Sequence, residues 1–260
     1  MIKILHDTHI HTIFSSDSRM TIDEAINTSK NLNIGITIVE HMDFDYPKIG
    51  QFVFDKEEYF KKYTSYRSDT VLLGMELGMR TECIKINKEV SLDDIFDYIV
   101  GSIHVVNGID VYEKDFYNGG SKKEVYNQYF QAMINSLKEH YFINSLGHID
   151  YIARYSRFPD KEVYYDEFKE QFDEVLSILA QREQALEINT RRFDNKAAIE
   201  NFKKILKRFK ELNGKLITVG SDAHRQDAIG HKIKEATELA EAFNLSVVYF
   251  KNQKPHYIKI

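Results

Sequence analysis

The sequence has no tryptophan, one cysteine and only 3 prolines in 260 residues. A lone thiol, Cys83, rules out the internal disulfide framework that holds small secreted domains together. No run of about 20 apolar residues is present, so no membrane-spanning helix is expected. An excess of positive charge is missing too: 35 Lys and Arg stand against 40 Asp and Glu, leaving −5 with histidine neutral. That balance offers no global basic field for a nucleic-acid polymer or an anionic membrane, although a local basic pocket is compatible with it. The start MIKILHDTHIH lacks the apolar core and the small-residue cleavage site of a signal peptide, so the expected location is the cytoplasm. No Pro/Gly/Ser-rich linker, low-complexity tract or internal repeat divides the chain, which reads as a single domain over residues 1–260. Nothing in it specifies an oligomeric state.

What is present is an ordinary globular composition, 43% hydrophobic and 29% charged, with 10 histidines. Short apolar runs alternate with stretches of helical period, the pattern of β/α units around a largely parallel sheet. Strands are expected at Ile2–Thr8, Ile34–Val39, Val71–Leu77, Tyr98–Ile103, Phe142–Leu146, Ala185–Ile188, Leu216–Val219 and Leu245–Phe250. Helices are expected at Thr21–Leu32, Lys56–Tyr66, Ser121–Glu139, Lys161–Gln181, Asn195–Leu212 and Asp227–Phe243. Thr21 to Glu24 reads as a capping box, and Gly35 as the stop of that first helix. About eight strands and six helices suit an α/β barrel of the (β/α) kind, in which functional groups gather where the strands end.

Metal-binding residue types recur at those ends. The first strand runs into His9 and His11, the second into Glu40-His41 and the third ends on Glu76. The fourth runs into His104, the fifth into His148 and Asp150, and the seventh into Asp222 and His224. In an extended chain residues i and i+2 face the same side, so His9 with His11, and Asp222 with His224, can each address one cavity. Asp17, six residues after His11, is close enough to fold over the same mouth. A lone histidine beside an apolar strand is ordinarily a core residue, and His6, His140, His231 and His256 are read that way. The joint pattern is different, because the strand interiors stay apolar while six ends carry a possible ligand. Imidazole and carboxylate without cysteine suit Zn, Mn or Fe, and nine candidates exceed what one ion needs, so two or three divalent ions are expected. Such a cluster points to metal-assisted hydrolysis of a phosphate ester.

Asp7-Thr8-His9-Ile10-His11-Thr12, Glu40-His41, Gly74-Met75-Glu76, Gly101-Ser102-Ile103-His104, Gly147-His148-Ile149-Asp150 and Gly220-Ser221-Asp222-Ala223-His224 resemble the ordered motifs of the polymerase and histidinol phosphatase (PHP) superfamily. The resemblance spans most of the chain. The segment from Thr12 to Ser18, the Glu40-His41 pair and Glu187-Ile188-Asn189-Thr190 are most similar to the monofunctional histidinol-phosphate phosphatase family. The resemblance implies a distorted (β/α)7 TIM-like barrel with a trinuclear site at its mouth. One ion would take His9, His11, Glu76 and Asp222; a second would share Glu76 and add His104 and His148; the third would take Asp17, His41 and His224. It further implies cleavage of L-histidinol phosphate in histidine biosynthesis, with a metal-bridging hydroxide as nucleophile and no phosphoenzyme. The sequence departs from the family in placing Arg191 and Arg192 directly after Thr190, where a small residue is usual. Arg154, Arg191 and Arg192 are the candidate phosphate contacts, Arg154 foremost, because a guanidinium matches two phosphate oxygens. The partner is a small phosphomonoester. The alternative reading is another phosphoesterase of the superfamily, acting on phosphotyrosine or on nucleotides.

Overall fold

The apolar runs become a sheet that is parallel except at its last hairpin. In the computed structural model, which describes residues 4–92 and 95–258, strands β1 (His6–Ile10), β2 (Gly35–Met42), β3 (Val71–Gly78) and β4 (Tyr98–Ser102) come first. A short antiparallel pair, β5 (Val105–Val106) and β6 (Ile109–Asp110), precedes β7 (Ser145–Leu146), β8 (Ala185–Asn189), β9 (Leu216–Gly220), β10 (Ser246–Lys251) and β11 (Lys254–Tyr257). Ile2 and Lys3 of the first expected strand lie outside the described residues. The main sheet runs in the order β1-β2-β3-β4-β7-β8-β9-β10-β11. Every residue of β2 and β3 is buried, as expected where both faces of a parallel sheet are covered.

The sheet closes on itself past the end of β9. Asp222 N donates to His9 O at 2.7 Å and His11 N donates to Ala223 O at 2.8 Å, joining β1 to the residues that follow β9. The eighth apolar run does not enter the ring as an equal: β10 pairs with β9 only at Ser246 and Val247. There it packs beside the start of β1, with Tyr249 stacked on His6 at 4.6 Å between ring centroids. The result is the distorted (β/α)7 barrel, with seven strands lining its mouth and β10 wedged at the opposite end.

The helices are α1 (Ile22–Leu32), α2 (Lys56–Tyr63), α3 (Ile84–Ser91), α4 (Lys122–Glu139), α5 (Ile152–Tyr155), α6 (Lys169–Gln181), α7 (Lys196–Glu211) and α8 (Ile233–Ala242). Both α1 and α4 begin with a reciprocal capping box, Thr21 with Glu24 and Ser121 with Glu124. Asn33, at φ 53°, rather than Gly35 ends α1. Gly35 answers a different demand, since a Cβ there would sit 2.2 Å from His6 Nδ1.

Two helices start later than expected because side chains capture their first turns. Before α6, Tyr165 N donates to Asn201 Oδ1 at 2.6 Å and Asn201 Nδ2 donates to Val163 O, which ties that backbone to α7. Before α8, Gly230 and Lys232 adopt φ of 74° and 53°, and Gly230 N donates to Asp7 Oδ2 at 2.9 Å. The expected strand at Phe142–Leu146 shrinks to two residues because the Asn144 side chain accepts the Ile99 amide at 2.8 Å. Helix α3 was not expected at all. Its inward face is polar, with Asn87 Nδ2 donating to Gly78 O at 3.0 Å and Ser91 buried, while Ile86 is exposed, so it lacks an inward apolar stripe.

Candidate active site

The nine expected ligands arrive at one place. Alternation along β1 turns His9 and His11 inward together, and the closure of the barrel brings the Asp222 turn against them. Glu76, at the buried end of β3, lies at the centre. Its Oε1 is 2.7 Å from His148 Nε2 and 3.2 Å from His104 Nε2. Its Oε2 is 3.0 Å from His41 Nδ1, 3.4 Å from His11 Nε2 and 3.5 Å from His9 Nε2. Asp222 Oδ1 adds a second acidic pole, 3.4 Å from His11 Nε2, 3.5 Å from His224 Nδ1 and 3.8 Å from His9 Nε2. Asp17 reaches in from its exposed loop, 3.0 Å from His224 Nε2 and 3.7 Å from His41 Nε2.

Buried groups outside the nine aim these rings. Glu187 Oε2 takes His9 Nδ1 at 2.7 Å, Asp43 Oδ1 takes His104 Nδ1 at 2.9 Å, and Ser15 Oγ lies 3.0 Å from His11 Nδ1. A histidine held at Nδ1 presents Nε2 to the cluster. Asp222 has φ 55°, a conformation that costs free energy unless its surroundings impose it. The buried Asp7 does so, accepting from Ser221 N at 2.9 Å, Ser221 Oγ at 2.6 Å and Gly230 N at 2.9 Å.

The electrostatics are those of a site built for cations. Burial opposes ionisation of Glu76, yet the imidazoles of His104, His9 and His41 hold its carboxyl well below the usual range. Burial likewise opposes Asp222, and the Arg154 guanidinium with His9 holds it low. Burial, aided by neighbouring His224 and His41, pushes His11 well below the ordinary imidazole value. His41 Nδ1, Asp43 Oδ2, Glu76 Oε2 and His224 Nε2 lie 3.0–3.5 Å from polar atoms of the cluster but not in hydrogen-bond geometry, and His148 Nδ1 has no hydrogen-bond partner. Buried polar atoms without hydrogen bonds cost about 1–3 kcal/mol each, so an arrangement of this kind suits the binding of cations better than a closed hydrogen-bond network. Triads such as His9-His11-Glu76, Glu76-His104-His148 and His11-His41-His224 offer ligand atoms within 4.8 Å of one another. The donor set therefore fits several divalent ions of the Zn, Mn or Fe type.

The three candidate phosphate contacts separate. Arg154 is buried over the Tyr151 ring, 5.2 Å from its centroid; it donates through Nη1 to Asp222 Oδ2 and leaves Nε without a partner. Arg191 is half-exposed beside the same residue, its Nη1 3.4 Å from Asp222 O. Arg192 turns away, held between Asp150 and Glu162. A cavity of about 260 Å³ opens beside Asp17, His41 and His104. Its wall carries Asp43, Asp110, Phe52, Tyr112, Tyr151 and Tyr155, together with Lys48, which pairs with Glu113. The mouth thus offers arginines beside Asp222 and, in a cavity that shares Tyr151 with Arg154, carboxylates and aromatic rings.

Sequence reasoning missed Asp43, Glu187 and Ser15. Asp43 had a usable signal, since it follows His41 by the same two-residue step that joins His9 to His11. Glu187 stands in the Glu187–Thr190 motif and Ser15 in the Thr12–Ser18 segment, but only the closed barrel and the fold of the loop after β1 bring them against His9 and His11.

Comparison with known proteins follows this geometry. The PHP domain profile matches residues 7–191. The chain is 48% identical to a probable histidinol-phosphatase of Clostridium acetobutylicum, covering 98% of this chain and 100% of that protein. It is 33% identical to a histidinol-phosphatase of Lactococcus lactis, covering 84% and 83% respectively. Among solved structures, the crystal structure of histidinol phosphate phosphatase from Lactococcus lactis, complexed with Zn, L-histidinol and phosphate, superposes with a TM-score of 0.91 at 30% identity, covering 97% of this chain and 98% of that one. The strand-end histidines and carboxylates, the seven-strand barrel that gathers them and these matches agree: the chain belongs to the PHP superfamily and, within it, to the histidinol-phosphate phosphatase family.

Proposed function

We propose that the protein hydrolyses L-histidinol phosphate to L-histidinol and phosphate, as a cytoplasmic single-domain enzyme of histidine biosynthesis that uses two or three divalent ions. The observation that carries this reading is Glu76, a buried carboxylate with five imidazole nitrogens within 3.5 Å. Glu76 would bridge two ions, one also held by His9, His11 and Asp222 and the other by His104 and His148. Asp17, His41 and His224 would hold a third. Such ions supply an activated water at neutral pH and neutralise charge on the transferring phosphoryl group.

The remaining tasks fall to the chain itself. Arg154 and Arg191, on the flank of Asp222, orient the phosphate, and the stack of Tyr151 beneath Arg154 keeps that guanidinium in place. Arg192, already occupied by two carboxylates, braces the segment before α6 instead. The 260 Å³ cavity accepts the other end of the substrate: carboxylates such as Asp110 favour its cationic amine, and Tyr151 and Tyr155 give its imidazole aromatic surface. A substrate with a phosphate at one end and a cation at the other suits arginines beside Asp222 and carboxylates in the cavity, whereas the net charge of −5 does not favour a nucleic-acid polymer.

Phosphate release from metal-reconstituted protein tests the reading, with histidinol phosphate compared against a phosphotyrosine peptide and nucleoside 3′-phosphates. The largest kcat/KM is expected for histidinol phosphate. Preference for another ester, or equally slow turnover of all of them, would reject it.

A further inference from the structure

The three rings aimed from outside the cluster are not aimed in the same way. His9 and His104 each meet a carboxylate directly, at 2.7 and 2.9 Å. His11 meets a hydroxyl, and the carboxylate stands one bond further back: Ser15 Oγ is 3.0 Å from His11 Nδ1 and 2.5 Å from Glu40 Oε2. All three residues are buried, at 0%, 1% and 0% exposure for His11, Ser15 and Glu40. We propose that Ser15 and Glu40 form a proton-ordered relay that fixes His11 with its hydrogen on Nδ1 and thereby secures the ion held by His11. The proposal rests on the metal-dependent reading above and names two positioning residues for it.

Counting hydrogens gives the relay its direction. Both oxygens of Glu40 serve as acceptors: Thr12 N lies 3.1 and 3.2 Å from Oε1 and Oε2, and the Thr12 hydroxyl donates to Oε1. A serine hydroxyl has one hydrogen to donate and two lone pairs. With Glu40 accepting, that hydrogen goes to Oε2. The backbone amide of His41 donates to Ser15 Oγ at 3.2 Å and occupies one lone pair. The remaining lone pair faces His11 Nδ1, which must supply the hydrogen. His11 Nε2 is then left bare, facing Glu76, Asp222 and, at 3.1 Å, His9 Nε2. His9 is held at Nδ1 in a parallel way, by Glu187 at 2.7 Å.

Glu40→Gln changes little in shape and reverses the relay in one of its two amide orientations. Thr12 N reaches both carboxyl oxygens, so whichever way the amide lies, its nitrogen sets a donor against Thr12 or against Ser15. In the second case the Ser15 hydrogen turns to His11 Nδ1 and moves the imidazole hydrogen to Nε2, where it blocks an ion. Ser15→Ala removes the relay, and Ser15→Thr retains its hydroxyl.

The test is zinc titration of the full-length protein in a chelator-buffered series, with metal per chain read by atomic emission. Imidazole nitrogen shifts of the zinc-free protein report the tautomer. Ser15→Ala and Glu40→Gln are expected to weaken one ion by about 10- to 100-fold, the usual effect of losing a group that orients a ligand. Ser15→Thr is expected to match the parent, and Glu40→Gln to move the His11 hydrogen from Nδ1 to Nε2. Unchanged zinc affinity with an unmoved tautomer in both Glu40→Gln and Ser15→Ala overturns the proposal, and Glu40→Leu, which takes away the acceptor of the Ser15 hydrogen, replaces Ser15→Ala if that variant does not fold. Parent protein that binds zinc but leaves histidinol phosphate intact would instead reject the substrate reading, without touching the zinc comparison.

Discussion

His6 faces away from the site, and its burial makes a quantitative claim about acid stability. Its Nε2 pairs with Thr37 Oγ1 at 2.9 Å, its ring stacks on Tyr249, and Gly35 gives it room by lacking a Cβ. Burial lowers its pKa from the ordinary 6.5 to about 3, with a smaller opposing contribution from the Ile36 backbone. Between those values the unfolded chain holds a proton that the folded chain refuses. The sign follows: this contribution to stability is fully present above pH 6.5 and is lost progressively as pH falls toward 3. The slope is about 1.4 kcal/mol per pH unit, so roughly 2.7 kcal/mol is gone at pH ~4.5. His6→Phe keeps an aromatic ring against Tyr249 and has no proton to bind. It leaves Thr37 without its partner, a pH-independent cost of about 1–3 kcal/mol. Urea unfolding of parent and variant from about pH 7 to 4.5 is expected to show the variant less stable at neutral pH but less sensitive to acid, the two curves converging by roughly 2.7 kcal/mol. Metal release affects both proteins alike and cancels in the difference. Parallel curves would refute the reasoning, because they would mean that His6 titrates alike folded and unfolded.

Asp17→Ala should lower the metal content by one ion per chain while the pair bridged by Glu76 persists; unchanged stoichiometry by elemental analysis rejects the assignment of the third ion. Gly35→Ala should destabilise the fold by about 1–3 kcal/mol through overpacking against His6, read as a lower midpoint in thermal denaturation, and partial recovery in the His6→Ala background would locate the clash. Arg192→Ala should cost about 3–5 kcal/mol of stability by stranding Asp150 and Glu162, with KM little changed; a large rise in KM without loss of stability would return Arg192 to the phosphate site.

Local chemistry makes the candidate ligand set legible in the sequence. Strand alternation pairs His9 with His11, and helix caps such as Thr21 with Glu24 are equally local; Asp222 and His224 also meet, at 3.5 Å, but through a turn past β9 in which Asp222 has φ 55° and not through the extended chain expected. These signals depend on backbone geometry over two to four residues, which a sequence displays directly. Where side chains captured the backbone from far away, the same reasoning failed. Asn201 delays α6, Asp7 reshapes the approach to α8, and the polar inward face of α3 is satisfied by the Gly78 carbonyl rather than by apolar packing.

The sequence by itself therefore determined the repeating β/α order and the metal-binding residue types at the strand ends, because both follow from periodicity and donor chemistry along the chain. The tertiary structure alone decided that Asp43, Glu187 and the Ser15–Glu40 pair aim the rings, and that Arg154 rather than Arg192 is paired with Asp222. Those outcomes depend on closure of the barrel, which brings residues as far apart as His9 and Asp222 within hydrogen-bonding reach, and no local pattern encodes which distant groups will meet.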